Sequence, residues 1–77
     1  MQTIIKGNCM EKTPFAVNLK NLRKENHVSQ KDLADKISVS VKSVSHWETG
    51  YTEPSLTQLC MIADIFEIST DELLGRV

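Results

Sequence analysis

The stretch VSQKDLADKISVSVKSVSHWETGYTEPS, residues 28–55, decides the fold. Ser29 is a good helix N-cap, Gln30 takes the first helical position, and Asp32 lies in the first turn near the positive end of the helix dipole. Leu33, Ala34 and Ile37 recur at helical spacing and form one inner face. Ser38-Val39-Ser40 breaks this run. Ser40 then caps a second helix over Val41–Thr49, and Gly50 stops it, as expected of a residue that tolerates left-handed backbone. The spacing predicts a helix over 30–37, a three-residue break and a helix over 41–49, and so short a turn makes the two helices cross steeply.

The second of these helices is apolar only at Val44 and Trp47. Its other face offers Val41, Lys42, Ser45 and His46, a set suited to presenting side chains to a partner, and a DNA major groove admits a helix of this diameter. The starts of both helices carry backbone N–H groups and partial positive charge, which suit phosphate oxygens. On this reading Gln30 hydrogen-bonds a phosphate through its side chain and its backbone N–H. Lys42 pairs with guanine or a phosphate, His46 donates to or accepts from a base edge, and Val41 touches a thymine methyl.

Upstream, Thr13-Pro14 opens a helix as N-cap and first residue. Phe15, Leu19 and Leu22 share one face, Lys20, Arg23 and Lys24 lie mostly on the other, and Asn26-His27 ends the helix. Downstream of a loop at Tyr51–Pro54, Ser55 is expected to cap a helix over Leu56–Phe66 with Leu56, Leu59, Ile62, Ala63 and Phe66 inward. Cys60 reads as a small core residue in that stripe. Ile68 plugs the next turn. Thr70 is expected to cap a short fifth helix with Asp71 and Glu72 near its start and Leu73 and Leu74 packed inward. The fold class is therefore a compact all-α domain of five helices over residues 13–77. Residues 1–12 form an N-terminal tail, with a short pairing strand at Thr3–Lys6 as the alternative.

The 77 residues carry a net charge of −1, which argues mildly against a nucleic-acid partner until the charges are located. Residues 14–46 hold six basic and three acidic side chains, a net +3, whereas residues 47–77 hold one basic and six acidic, a net −5. A basic front half suits phosphates and an acidic back half faces solvent or a partner. No apolar run approaches the roughly 20 residues that span a bilayer, and the N-terminus lacks the apolar core of a secretory signal. The expected compartment is cytoplasmic, where Cys9 and Cys60 stay reduced.

The string over residues 28–55 resembles the phage-repressor helix-turn-helix family, also called Cro/cI-like or xenobiotic-response-element. The resemblance runs from about Phe15 to Leu74. Its markers are Ser29-Gln30, Leu33-Ala34, Val39-Ser40, Val44, Trp47-Glu48, Gly50, Pro54-Ser55, Leu59 and Asp71-Glu72-Leu73-Leu74. It implies a lambda-repressor-like domain of bacterial or phage origin that binds double-stranded DNA as a transcriptional regulator, with a repressor expected. It further implies that Gln30 clamps a phosphate, that Val41, Lys42 and His46 face bases with Ser45 at the edge, and that Ser40, Ser43 and Thr49 touch the backbone. Arg23 and Glu48 match a pair that joins the first helix to the third by a salt bridge, and Arg23 is also placed to reach a phosphate. Four residues depart from the family pattern. His27 and Ser38 stand where glycine is usual, which predicts strained turns. Val41 is apolar where a hydrogen-bonding residue is common. Glu53 replaces a frequent lysine and should weaken binding and its salt dependence.

Other functions fare worse. A zinc site from Cys9, His27, His46 and Cys60 has no ligand-like spacing, and neither a phosphate-cradling glycine loop nor a converging carboxylate set occurs, so no cofactor and no enzymatic activity are expected. One domain reads only a few base pairs, which predicts a homodimer on a pseudo-palindrome, joined through the tail, the last two helices or Leu74–Val77. A protein-interaction module, such as an antitoxin or adaptor that binds its partner through the acidic C-terminal half, is the competing reading.

Overall fold

The computed structural model describes residues 14–75. It holds five helices in chain order: α1 (Pro14–Glu25), α2 (Gln30–Lys36), α3 (Val41–Thr49), α4 (Leu56–Phe66) and α5 (Thr70–Leu74), with no strand among the described residues. The expected all-α, five-helix architecture is the one observed. The tail, the Thr3–Lys6 alternative, the Thr13 cap, Cys9, Arg76 and Val77 lie outside the described residues.

Serine side chains start four of the helices. Ser29, Ser40, Ser55 and Ser69 each accept from the backbone N–H three residues on, at Asp32, Ser43, Gln58 and Glu72. Gln58 and Glu72 return the bond to the cap's own N–H, closing reciprocal capping boxes. Ser69 therefore caps α5, and Thr70, expected in that role, is the first helical residue. Two adjacent hydroxyls compete here, and only Ser69 has a Glu three positions ahead.

Four helices end alike. Their chains turn through left-handed residues at His27 (φ 57°), Ser38 (φ 59°), Gly50 (φ 82°) and Glu67 (φ 57°). After each, the next residue's N–H bonds back five positions: Val28 to Arg23, Val39 to Ala34, Tyr51 to His46 and Ile68 to Ala63, at 2.9–3.0 Å. This is the Schellman ending, in which the residue after the left-handed one also makes an apolar contact with the last helical turn. His27 and Ser38 bear out the strain expected there, since a side chain in this conformation costs roughly 1–2 kcal/mol. Helix α2 consequently stops at Lys36, and Ile37 is its buried C-cap.

The core is built from Phe15, Leu19, Leu33, Ala34, Ile37, Val44, Trp47, Ile62, Ala63 and Leu73, with Leu22, Leu59, Ile65, Phe66 and Leu74 packed partly against it. Helix α3 packs on α1 and α2, and α5 on α1 and α4. The Asn18 amide ties α1 to the end of α5 by donating to the Leu73 carbonyl at 3.1 Å.

Two expectations about α4 fail. Leu56 is 82% exposed and Cys60 is exposed, where both were expected inward. Cys60 precedes Ile62 by two residues, about 200° around the helix, and so faces away from the core. Leu56 lies on the buried stripe by angle, two turns before Ala63, but there the stripe overhangs the core. It meets only a shallow groove of about 250 Å³ lined by Phe15, Glu53, Pro54, Leu56, Leu59 and Leu74.

Candidate nucleic-acid interface

Helix α3 divides cleanly. Val44, Trp47 and Glu48 are buried, while Val41, Lys42 and Thr49 are exposed and Ser43, Ser45 and His46 are half-buried. The two buried apolar residues anchor the helix to the core, so the remaining positions face outward together as the 3.6-residue period requires.

Glu48 is a charge among these buried residues, only 3% exposed. Its carboxylate accepts from Arg23 Nε at 2.5 Å and Arg23 Nη2 at 3.0 Å, a two-pronged pair of the strong kind. A third N–H comes from Gln30 Nε2 at 3.1 Å. One carboxylate on α3 thus holds side chains from both α1 and α2. Burial by itself pushes the Glu48 carboxyl up, but the hydrogen bonds from Arg23 and Gln30 and the charges of Arg23 and Lys20 outweigh it, so the group titrates below the ordinary carboxylate range. The hydrogen bond to Glu48 likewise raises the Arg23 guanidinium against the opposing effect of burial.

The structure brings together most of the residues expected at the site and gives several of them a second occupation. Arg23 spends three N–H donors internally, two on Glu48 and one on the Val28 carbonyl at 3.0 Å, and its side chain is 11% exposed. It joins α1 to α3, as the family match implies. Gln30, expected as a phosphate clamp, uses one amide N–H on Glu48 and keeps a second. The Ser40 and Ser43 hydroxyls bond one another at 3.0 Å at the helix start, and the Thr49 hydroxyl donates to the His46 carbonyl at 3.1 Å. Val41 and Lys42 lie open. Lys31 sits 3.0 Å from Asp35 in a solvated pair and adds little net positive field.

Two contacts escaped the sequence. The Gln30–Glu48 bond joins residues 18 apart and leaves no local pattern. The Tyr51 ring meets the His46 ring edge-on, with centroids 4.8 Å apart and planes at 63°. A signal for the second existed: Gly50 predicts a Schellman ending, which brings the residue after it against the residue five positions back.

Among the described residues no group of three or more His, Cys, Asp or Glu is placed to hold a metal ion, and no helix is long and apolar enough to cross a membrane.

The sequence matches a family model described as helix-turn-helix over residues 19–73. It is 41% identical over 58 residues to the HTH-type transcriptional regulator AnsR of Bacillus subtilis, covering 75% of this chain and 50% of that protein. It is 43% identical over 58 residues to the cryptic phage CTXphi transcriptional repressor RstR of Vibrio cholerae, covering 75% of this chain and 52% of that protein. Its fold is similar to that of the P22 c2 repressor solved in complex with a synthetic operator. There the TM-score is 0.76 and the identity 27%, over 82% of this chain and 96% of that one. The chain spans about half the length of the two curated relatives.

Proposed function

We propose a function from one premise: the chain belongs to the helix-turn-helix family of phage-repressor type. It is a cytoplasmic, sequence-specific regulator of transcription, a repressor, that lays α3 in the major groove of double-stranded DNA. The observation that carries this is the outward face of α3: Val41, Lys42, Ser45 and His46 on a helix fixed from behind by Val44, Trp47 and Glu48. Lys42 and His46 read base edges, and Val41 contacts a thymine methyl with Ser45 beside it. Gln30 grips a phosphate with its second amide N–H, while Ser40, Ser43 and Thr49 touch the backbone at the two ends of the helix. Arg23 serves the interface through Glu48.

The protein acts as a homodimer on half-sites about 34 Å apart, one turn of DNA. The groove beside Leu56 supports this, because an exposed leucine ringed by Phe15, Pro54, Leu59 and Leu74 suits a second copy of the same face. The groove also favours a competing reading, a protein-interaction module that takes a foreign partner there.

Selection of bound duplexes from a random pool, at a stated salt concentration, decides between them. The DNA reading expects an enriched pseudo-palindrome whose binding weakens in Lys42→Ala and Gln30→Ala. It fails if no sequence is enriched, or if both substitutions leave binding unchanged.

A further inference from the structure

We propose that the cap closing α3 also sets its base discrimination, because Tyr51 holds the His46 ring in the orientation that meets a base edge. The inference rests on the DNA-binding reading above and adds a positioning residue to it.

The evidence is a comparison within the molecule. The Schellman ending occurs four times, and the residue after the left-handed position is Val28, Val39, Tyr51 or Ile68. Val28, Val39 and Ile68 are partly buried and pack against the core, as the motif's usual apolar contact would have it. Tyr51 does not. It is 76% exposed, and its ring contact is with His46, edge to face at 4.8 Å. The distance and the 63° interplanar angle fall within the favoured geometry of aromatic pairs. The same contact that elsewhere seals a helix end to the core is therefore turned outward, onto a side chain of the recognition face.

The backbone makes this placement firm. The Tyr51 N–H bonds the His46 carbonyl at 2.9 Å, the Gly50 N–H bonds Trp47 at 3.3 Å, and the Thr49 hydroxyl also bonds the His46 carbonyl at 3.1 Å. Tyr51 is thus tied to the residue whose ring it touches. A histidine on an open helix face otherwise samples several ring orientations about a broad terminal torsion. A ring packed on one side loses part of that freedom before DNA arrives, which sharpens the choice of base edge.

The test uses the whole chain as wild type, Tyr51→Ala, Tyr51→Phe, His46→Ala and the Tyr51→Ala/His46→Ala double variant. Dissociation constants are measured by fluorescence anisotropy on the selected duplex and on duplexes changed at each base pair, at one salt concentration. Tyr51→Ala and His46→Ala should lose discrimination at the same base pair, Tyr51→Ala by about two- to tenfold. Tyr51→Phe should keep it, and Tyr51→Ala should add nothing once His46 is gone. In the free protein, the His46 ring-proton resonances should shift in Tyr51→Ala and hold in Tyr51→Phe. An equal loss on every duplex, a loss additive with His46→Ala, a Tyr51→Phe defect as large as that of alanine, or unmoved resonances each overturn the inference. Wild-type protein that discriminates no duplex overturns the DNA-binding reading with it. A wild type that discriminates while Tyr51→Ala matches it sinks only the role of Tyr51.

Discussion

Replacing Glu48 with alanine removes a carboxylate that is 3% exposed and accepts three hydrogen bonds. The loss strands Arg23, whose side chain is 11% exposed and keeps only the Val28 carbonyl, and frees the Gln30 amide. Breaking a buried pair from one side costs about 3–5 kcal/mol, against at most about 1 kcal/mol for a solvated pair. The residual exposure of Arg23 puts this case near the lower figure. For a domain of this size each kcal/mol moves the thermal midpoint by roughly 4–8 °C, so Glu48→Ala should fall by roughly 12–24 °C in a circular-dichroism melt at pH 7. The paired change Arg23→Met with Glu48→Leu puts apolar groups of similar volume in place of both charges and should recover most of that loss. Acidification gives a second reading. The folded carboxyl titrates below its unfolded value of about 4.3. Its stabilising contribution is therefore complete above that value and disappears as pH falls through the lower, folded one. Glu48→Gln should lack this part of the acid loss. A Glu48→Ala midpoint within about 4 °C of wild type would refute the argument. So would a paired variant no more stable than the single one.

Three further outcomes follow from other parts of the molecule. Ser38→Gly relieves a left-handed serine and should raise stability in urea by about 0.5–1 kcal/mol, the strain relief exceeding the added chain entropy; an unchanged or lower midpoint counts against strain at that turn. Leu56→Glu should leave the melt nearly unchanged, because Leu56 is 82% exposed, yet convert the dimer to monomer in sedimentation velocity and weaken operator binding. Glu53→Lys should tighten DNA binding and steepen the dependence of log K on log salt by about one, as expected for one added phosphate contact.

Much of this fold was legible because its signals are local. Ser29 and Ser40 before helical runs, the apolar period at Leu33, Ala34 and Ile37, and Gly50 as a stop place α2 and α3 to within a residue. The left-handed turns at His27 and Ser38 were legible too, through their departure from glycine. Other features were hidden for distinct reasons. A helical period fixes an angle around an axis but not what stands opposite, so Leu56 looked buried when no element covers it. Cys60 was judged by its neighbours in sequence, whereas its angle from Ile62 turns it outward. Glu67 adopts φ 57° with nothing in its identity to announce it, since the turn is imposed by Ile68 reaching back to Ala63. At the interface, the outward set on α3 could be read from period alone, but the second occupation of Gln30 on Glu48 is a tertiary fact.

The division of labour along α3 bears on how such a chain diversifies. Val44, Trp47 and Glu48 carry the attachment of the helix, and none of them is among the outward positions. Codons for Val41, Lys42, Ser45 and His46 can therefore drift after a gene duplication with little penalty to folding, so that daughter proteins come to occupy different operators on an unaltered scaffold. A change at Glu48 has no such freedom, since it is felt at once by three helices.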